Sequence, residues 1–280
     1  MLKYYNTISR LSKTNTIILI ALCVVSMLSI WAVSWNYSLA ESMSSGTRIS
    51  VETATKSDNF VAMSGGLVFI VAIIQIVIFM IWVYKFQKGL PIIKINDARW
   101  SPGWCVAWWF IPIMSLFRPY QVIAQFWRAT SLKNSPTNWK SANVPSLLMV
   151  WWITSVIATW FAMIYLRLSA SNWNSDRLED YLSELSLSIF SDASVIISSV
   201  LLIYVIKGIT EQLKEKITQL EKTPIIEDTP FAKPESTEKE IKDFEIVAKQ
   251  KPLKEKPSSE TIETKPSAPK VEIITKKKTK

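Results

Sequence analysis

The sequence predicts an all-α membrane protein with four transmembrane helices, a re-entrant or interfacial aromatic segment, an amphipathic cytoplasmic helix and a disordered C-terminal tail. Two observations lead to that prediction. Hydrophobic residues make up 49% of the chain, and they cluster in blocks rather than at amphipathic spacing. Several blocks are long enough to cross a hydrocarbon core of about 30 Å at 1.5 Å per residue.

The first three predicted spans carry no charged residue. The fourth has a short apolar stretch from Ala193 to Ile206, so we expect that span to begin near Leu187 or to be tilted. Asp192, beside Ser191, is interpreted as the N-cap of the fourth helix. The predicted spans are residues 17–35, 66–84, 147–166 and 187–206.

A cleaved signal peptide is the alternative interpretation of the first block. Ser38-Leu39-Ala40 resembles the small-residue site at which such peptides are cut. The block is longer than the usual apolar region of about 7–15 residues, and Trp35 and Tyr37 crowd the site. The sequence therefore favours a retained first span.

The charges of the loops predict how the chain is oriented, because short cytoplasmic loops are rich in lysine and arginine. The segment before the first span has three basic residues and no acid, and residues 85–146 have eight basic residues and one acid. The loops after the first and third spans contain more acids than bases. We therefore predict a multi-pass protein of the cell membrane with cytoplasmic N- and C-termini.

Residues 104–117, within the long basic loop, form a run of fourteen uncharged residues rich in tryptophan. That length is typical of a re-entrant or interfacial segment rather than of a span. Both flanks are basic, so a crossing would place one of them outside, and Pro112 would interrupt a helix. We expect a segment that stays on the cytoplasmic side; a fifth span is the alternative.

Residues 119–131 are predicted to form an amphipathic helix, with Pro119 in its first turn. Polar residues recur along one side at three- and four-residue spacing, which indicates a helix along the cytoplasmic interface. That side is either a solvated or headgroup-facing surface or a specific site for a phospholipid or another anion. Arg118 is expected at the headgroup level, holding phosphate or pairing with Asp97. The binding candidates for lipid, ligand or partner are Trp104, Trp108, Trp109, Pro112, Arg118, Gln121, Gln125 and Arg128.

Several short motifs follow one another in the middle of the chain. They are Ile81-Trp-Val-Tyr84, Ser101-Pro-Gly-Trp104, Trp108-Trp-Phe-Ile-Pro112, Arg118-Pro-Tyr-Gln121, Phe126-Trp-Arg-Ala-Thr-Ser131, Trp151-Trp152 and Ile206-Lys-Gly-Ile-Thr210. Together they resemble a bacterial membrane family catalogued as domain of unknown function 4328. The resemblance implies a polytopic membrane fold and brings no established activity. Similar proteins tend to have asparagine after the second span, where this chain has Gly89.

Residues 1–222 form the predicted transmembrane domain, and residues 223–280 form the predicted disordered cytoplasmic tail. The tail is dominated by Lys, Glu, Pro, Ser and Thr, and such a composition does not bury enough apolar surface to fold. The net charge of the chain is +9, but 17 of its 32 basic residues lie from Lys207 onward beside 14 acids. We therefore predict membrane lipids, and no nucleic acid, as partners.

The chain has no histidine, which removes the commonest general base and a common metal ligand. Its two cysteines, Cys23 and Cys105, lie in separate apolar blocks without metal-binding spacing. We therefore predict no catalytic residue, no metal and no cofactor. Gln75 and Asp192 are the intramembrane polar candidates.

The leading functional hypothesis is a non-enzymatic membrane component whose aromatic segment binds lipid, another membrane protein or a second copy of the chain. A small-solute transporter or channel is the alternative, based on Gln75, Asp192 and the helix break at Pro112. An intramembrane enzyme is favoured least, because no base accompanies the serine and threonine hydroxyls of the spans.

Overall fold

Helices account for most of the described chain. The computed structural model describes residues 1–132, 136–171 and 177–222, and no β-strand occurs in these ranges. The α-helices there are α1 (Leu2–Ser44), α2 (Val51–Lys88), α3 (Pro102–Ala107), α4 (Arg118–Thr130), α5 (Ser146–Ser171) and α6 (Leu178–Lys222). Short 3₁₀ helices span Leu90–Ile93, Met114–Leu116 and Pro136–Ser141. The predicted tail, residues 223–280, lies outside the described residues.

Four of these helices, α1, α2, α5 and α6, are long and apolar enough to cross a membrane. Each contains one of the predicted spans, so the predicted all-α, multi-span fold is confirmed. The protein is therefore a multi-pass membrane protein. Helices α1 and α6 have 43 and 45 residues, or roughly 65 Å at 1.5 Å per residue. Both project beyond a hydrocarbon core of about 30 Å.

The two ends of the bundle differ in their connections. We call the end where residues 89–145 join α2 to α5 the loop end, and the end where residues 45–50 join α1 to α2 the turn end. At the loop end, the Ser12 hydroxyl of α1 lies 2.8 Å from the Thr210 hydroxyl of α6. At the turn end, Tyr181 of α6 donates a 2.7 Å hydrogen bond to Asn36 of α1. Helices α1 and α6 are therefore antiparallel and in contact along their length.

Helices α1 and α6 form the centre of the bundle. Helix α2 packs on the outer side of α1, and α5 packs on the outer side of α6. Buried positions of α1 recur at alternating spacings of three and four residues, as they do in a coiled-coil seam; they include Ile8, Ser12, Asn15, Leu19, Leu22, Ser26, Ser29, Val33, Asn36 and Ala40. The serines among them are small enough to let neighbouring helices approach closely.

The aromatic segment 104–117 does not cross the bundle. Within this segment, the ring of Trp109 lies 5.3 Å from the ring of Phe79 in α2 and 5.8 Å from that of Trp152 in α5. Trp152 also donates a 3.1 Å hydrogen bond to the carbonyl of Leu116. Because these parts of α2 and α5 belong to the loop end, the segment begins and ends there. The alternative of a fifth span is therefore wrong.

Helix α4 is the predicted amphipathic helix, and it is more deeply buried than the sequence indicated. The ring of Phe126 lies 4.4 Å from that of Phe86 and 5.9 Å from that of Trp82, and all three side chains are fully buried. On the next turn, Thr130 donates a 2.9 Å hydrogen bond to Gln212 of α6. Helix α4 thus packs as a core element between α2 and α6 rather than lying on the bundle as a surface helix.

The interpretation of Asp192 as a helix N-cap is wrong. Helix α6 begins at Leu178 and continues without a break through Asp192. The polar residues before the apolar stretch thus extend the helix by more than three turns instead of ending a loop. Asp192 is buried in the helix interior, where its carboxylate needs a partner from another helix.

Candidate functional site

An apolar site lies within the bundle, between α2 and α5. It is a cavity of about 470 Å³, which we call the lateral groove. Helices α1 and α6 contribute Leu19, Leu22 and Leu202 to its floor, and α2 and α5 contribute its walls. Ile76 on one wall and Thr159 on the other are exposed. The groove therefore reaches the lipid-facing surface of the bundle.

The aromatic segment closes the groove at the loop end. Trp109 and Phe110 both contribute to the lining, beside Phe79 of α2 and Trp151 of α5. The segment reaches this position because α3 ends at Ala107, five residues before Pro112, and the chain then turns. Pro112 is exposed in that turn, and its carbonyl accepts a 2.7 Å hydrogen bond from Ser115. Pro112 itself therefore does not line the groove.

Polar atoms are concentrated at the end of the groove nearest these aromatic residues. Gln75 donates a 2.9 Å hydrogen bond from Nε2 to Asn15 of α1. Its Oε1 is buried and has no hydrogen-bond partner among the described residues, and the same holds for the indole N–H groups of Trp109 and Trp151. Buried polar groups are normally paired. One buried acceptor and two buried donors without partners thus belong to residues that line the groove.

Arg118 lies on the other side of the aromatic segment, away from the lateral groove. Its guanidinium is 5.4 Å from the ring of Trp108 and 5.8 Å from that of Trp100, and it donates a 3.0 Å hydrogen bond to Gln121. Trp104 stacks on Trp108 at 4.8 Å and is half exposed. Such distances are those of cation–π contacts. Three sequence candidates therefore form one stack, which consists of the indoles of Trp104 and Trp108 and the guanidinium of Arg118.

The expected pairing of Arg118 with Asp97 is wrong. Asp97 forms an ion pair with Lys140, with 2.5 Å between the charged atoms, and accepts a 2.7 Å hydrogen bond from the indole of Trp139. Lys140 reaches Asp97 because the 3₁₀ helix Pro136–Ser141 packs against α4. The sequence offered no signal for this arrangement, since Asp97 and Lys140 are far apart along the chain.

The sequence placed Gln125 in a polar stripe along one side of α4, but in the structure this side chain is not solvated. It is buried, its Oε1 accepts a 3.1 Å hydrogen bond from the backbone N–H of Arg99, and its Nε2 donates one of 2.8 Å to Gln87. Gln87 in turn donates a 2.6 Å hydrogen bond to the carbonyl of Trp100. The two glutamines therefore fix residues 99–100 against α2 and α4. Gln121, Gln125 and Arg128 all line a smaller pocket beside α4.

Asp192 lies away from the other site candidates. Its carboxylate lies near Ser29 of α1, within the α1–α6 contact. Nearer the turn end, Asn36 donates a 2.8 Å hydrogen bond to Asp58, and Tyr181 donates bonds of 2.7 and 3.2 Å to these two residues. Sequence reasoning missed this cluster, because its members come from three helices and none has unusual spacing.

A metal site is not evident in the part of the chain that the structure describes. No group of three or more His, Cys, Asp or Glu residues in the described ranges has the proximity to hold a metal ion. Cys23 and Cys105 are both buried free thiols. The predicted absence of a cofactor stays a prediction.

The comparisons with known proteins identify the family and not an activity. A family model described as a domain of unknown function, DUF4328, matches residues 45–211. No curated protein and no solved structure matches the chain. The matched region runs from the start of α2 through most of α6, and so includes the aromatic segment, α4 and most of the residues that line the lateral groove. Since the match covers more than half of the sequence, the chain belongs to the family of domain of unknown function DUF4328.

Proposed function

We propose that this protein is a non-enzymatic membrane component that binds an acyl chain of a membrane lipid in the lateral groove. The observation that supports this function is the groove itself, an apolar cavity of about 470 Å³ that reaches the lipid-facing surface. Ligand pockets in proteins typically enclose about 300–1,000 Å³ and are mostly apolar with a few placed polar groups. A lipid has direct access to such a groove from the bilayer.

The position of the polar atoms supports a lipid that enters with its headgroup toward the loop end. The unpaired indole N–H groups of Trp109 and Trp151 belong to the end of the groove at which the bundle meets the interface. Tryptophan is enriched at that depth of a membrane protein. The two tryptophans therefore favour a headgroup at that end of the groove, and the apolar remainder of the groove takes the chain.

A binding role is favoured over catalysis by the chemistry of the groove. The hydroxyls of Ser155 and Ser198 lie 2.7 Å apart and hydrogen-bond to each other, and Ser155 also donates to the carbonyl of Trp151. A serine nucleophile needs an adjacent base, and the hydrogen bonds of this pair involve no side chain that serves as one. The pair therefore supports close packing of α5 on α6.

The orientation that we propose places the loop end and both termini in the cytoplasm. Basic residues are concentrated before α1 and in residues 85–146, and acids predominate at the turn end, as the distribution of lysine and arginine around membrane spans requires. A reporter fused after Lys280 should read cytoplasmic, and one inserted near Ser45 should read external. The reverse result would contradict the orientation and would place the headgroup in the other leaflet.

A phospholipid with a photoreactive acyl chain tests the binding proposal. After irradiation in membranes, labelled peptides should come from the walls of the groove, including residues near Ala72 of α2 and Ala162 of α5. Ala162→Trp and Ala72→Trp fill the groove from opposite walls. Each should reduce labelling of the opposite wall by about tenfold, the factor that corresponds to a loss of about 1.4 kcal/mol.

Ile164→Trp is the matched control, since Ile164 is exposed on the same helix as Ala162 and does not line the groove. It should leave labelling of the groove unchanged. Equal labelling of the groove walls in wild type and in both filling variants would contradict lipid binding there.

Transport is the second candidate function, and one observation favours it. Asp192 is a buried acid in a candidate membrane-spanning helix, and such residues often mark ion or proton pathways. Proteoliposomes that contain a pH-sensitive dye test this function directly. Proton flux that is lost in Asp192→Asn would support transport, whereas the same flux with and without the protein would exclude proton transport.

A further inference from the structure

A second pocket, of about 260 Å³, lies at the loop end between α4, residues 99–100 and residues 139–140. Its lining includes three cationic side chains, those of Arg99, Arg128 and Lys140. The aromatic rings of Trp100, Tyr120 and Trp139 complete much of its wall. We call it the basic pocket. Its lining shares no residue with the lateral groove.

The cations of the basic pocket are held by contacts that leave most of their donors available. Arg128 donates from Nε to the carbonyl of Ala142 at 3.3 Å, a bond that does not use the two terminal nitrogens of its guanidinium. The guanidinium of Arg99 lies 5.0 Å from the ring of Trp100. The backbone N–H of Arg99 is bound to buried Gln125, so the start of this side chain is fixed in position.

The charge of the pocket remains positive after its ion pair is counted. Lys140 pairs with Asp97 and also lies 5.6 Å from the ring of Trp139. Asp97 does not line the pocket and offsets the charge of Lys140 only, so the charges of Arg99 and Arg128 are not paired with a carboxylate among the described residues. The arginines carry forked donor groups that match the oxygens of phosphate, and such charge-assisted hydrogen bonds are stronger than neutral ones.

From this arrangement we propose that the basic pocket binds a phosphate-bearing anion, with Arg99 and Arg128 as its principal ligands. The pocket, of about 260 Å³, is slightly smaller than the range of about 300–1,000 Å³ typical of ligand sites, which suits a phosphate or diphosphate group with little else attached. The same chemistry is offered by the headgroup of an anionic phospholipid and by a soluble phosphate compound. The aromatic walls reduce the water around the anion and strengthen its attraction to the guanidinium groups.

Two probes separate these sources. Pyrophosphate is titrated into the full-length protein in detergent, with binding followed by calorimetry. In a second arm, phosphatidylglycerol or phosphatidylcholine is added to the protein in micelles, and retained lipid is counted by native mass spectrometry. Saturable binding of pyrophosphate supports a soluble ligand, and preferential retention of phosphatidylglycerol supports a headgroup. Failure of both probes with the wild-type protein overturns the proposal.

Charge-neutral variants assign the binding to the pocket. Arg99→Gln and Arg128→Gln should each weaken binding of the responding probe by about tenfold, because each removes a charge-assisted contact. Arg10→Gln is the matched control: Arg10 is exposed on α1, near the loop end, and does not line the pocket. Its affinity should stay within about twofold of wild type, since a distant exposed charge is largely screened.

An equal loss of affinity in Arg10→Gln and in the two pocket variants would show that the anion is attracted by the general positive charge of the surface, and would overturn the site. Normal elution of each variant in size-exclusion chromatography checks that it has folded. The outcome is independent of the lipid proposal, because Ala162→Trp alters the lateral groove and leaves the lining of the basic pocket unchanged.

Discussion

The loop end and the turn end of the bundle are built from the same residue types but are packed in different ways. At the loop end, Trp82, Phe86 and Phe126 form a contiguous cluster of fully buried rings. At the turn end, Trp31 and Phe190 are each 61% exposed, although each contacts another ring. The difference arises because α4 covers the loop end, where its Phe126 packs on the rings of Trp82 and Phe86.

Glycines show the same contrast. A Cβ added to Gly208 of α6 would lie 2.9 Å from the indole of Trp127, and one added to Gly89 would lie 1.9 Å from the ring of Tyr4. In α2, toward the turn end, added Cβ atoms at Gly65 and Gly66 would meet nothing within 4 Å. Close approach therefore requires glycine at Gly89 and Gly208, whereas Gly65 and Gly66 of α2, like Gly103, have no such packing reason.

The largest effect is expected for Phe126→Ala. Loss of a large ring from a packed site leaves a cavity and should lower the free energy of unfolding by about 3–5 kcal/mol. Phe190→Ala at the turn end should change it by less than about 0.5 kcal/mol, because the ring is exposed. The stability of both variants is measured by heating the protein in micelles and using size-exclusion chromatography to quantify the protein that remains folded. Equal losses in the two variants would show that the ends do not differ in packing.

Gln125→Leu should give the next largest effect. It removes the partners of Gln87 and of the Arg99 backbone N–H, and a buried polar group without a partner costs about 1–3 kcal/mol. Asn36→Leu at the turn end should cost less, because its partners Asp58 and Tyr181 are both exposed and water replaces the lost bonds. The same unfolding measurement compares the two variants. A larger loss of stability in Asn36→Leu than in Gln125→Leu would contradict the proposed difference between the two ends.

Gly208→Ala should destabilise the protein by about 1 kcal/mol. The cost of displacing Trp127, about 1–3 kcal/mol for overpacking, is partly offset by the better helix propensity of alanine, worth about 1 kcal/mol. Gly65→Ala provides the propensity gain without the displacement, so it should leave the protein as stable as wild type or more so. A stabilising Gly208→Ala would mean that Trp127 moves without cost.

The smallest effect concerns the ion pair of Asp97 and Lys140, whose side chains are more than half exposed. The hydrogen bonds of Asp97 with Lys140 and Trp139 lower the pKa of this carboxyl. Because its folded-state pKa is below the unfolded value of about 3.9, the stabilisation is present above that pH and is lost as pH falls through the folded pKa. The thermal stabilities of wild type and Asp97→Asn should therefore differ at pH 6, and the difference should shrink as the pH falls below about 3.9.

The sequence predicted the membrane spans of this protein better than it predicted the candidate site. The four spans were evident, because crossing a membrane requires a local run of apolar residues of sufficient length. The placement of the aromatic segment on one side also followed from the sequence, since both its flanks are basic. An even number of spans then places the first and last described residues, Met1 and Lys222, on the same side of the membrane.

The roles of individual polar and aromatic side chains were decided by tertiary structure. Gln125 has the spacing of an exposed stripe but is buried, because Gln87 and residues 99–100 cover that side of α4. Trp108 and Trp109 are neighbours in the sequence, yet one contacts Arg118 and the other closes the lateral groove. Burial and hydrogen bonding depend on which distant segments meet, and spacing along one helix carries no information about those segments.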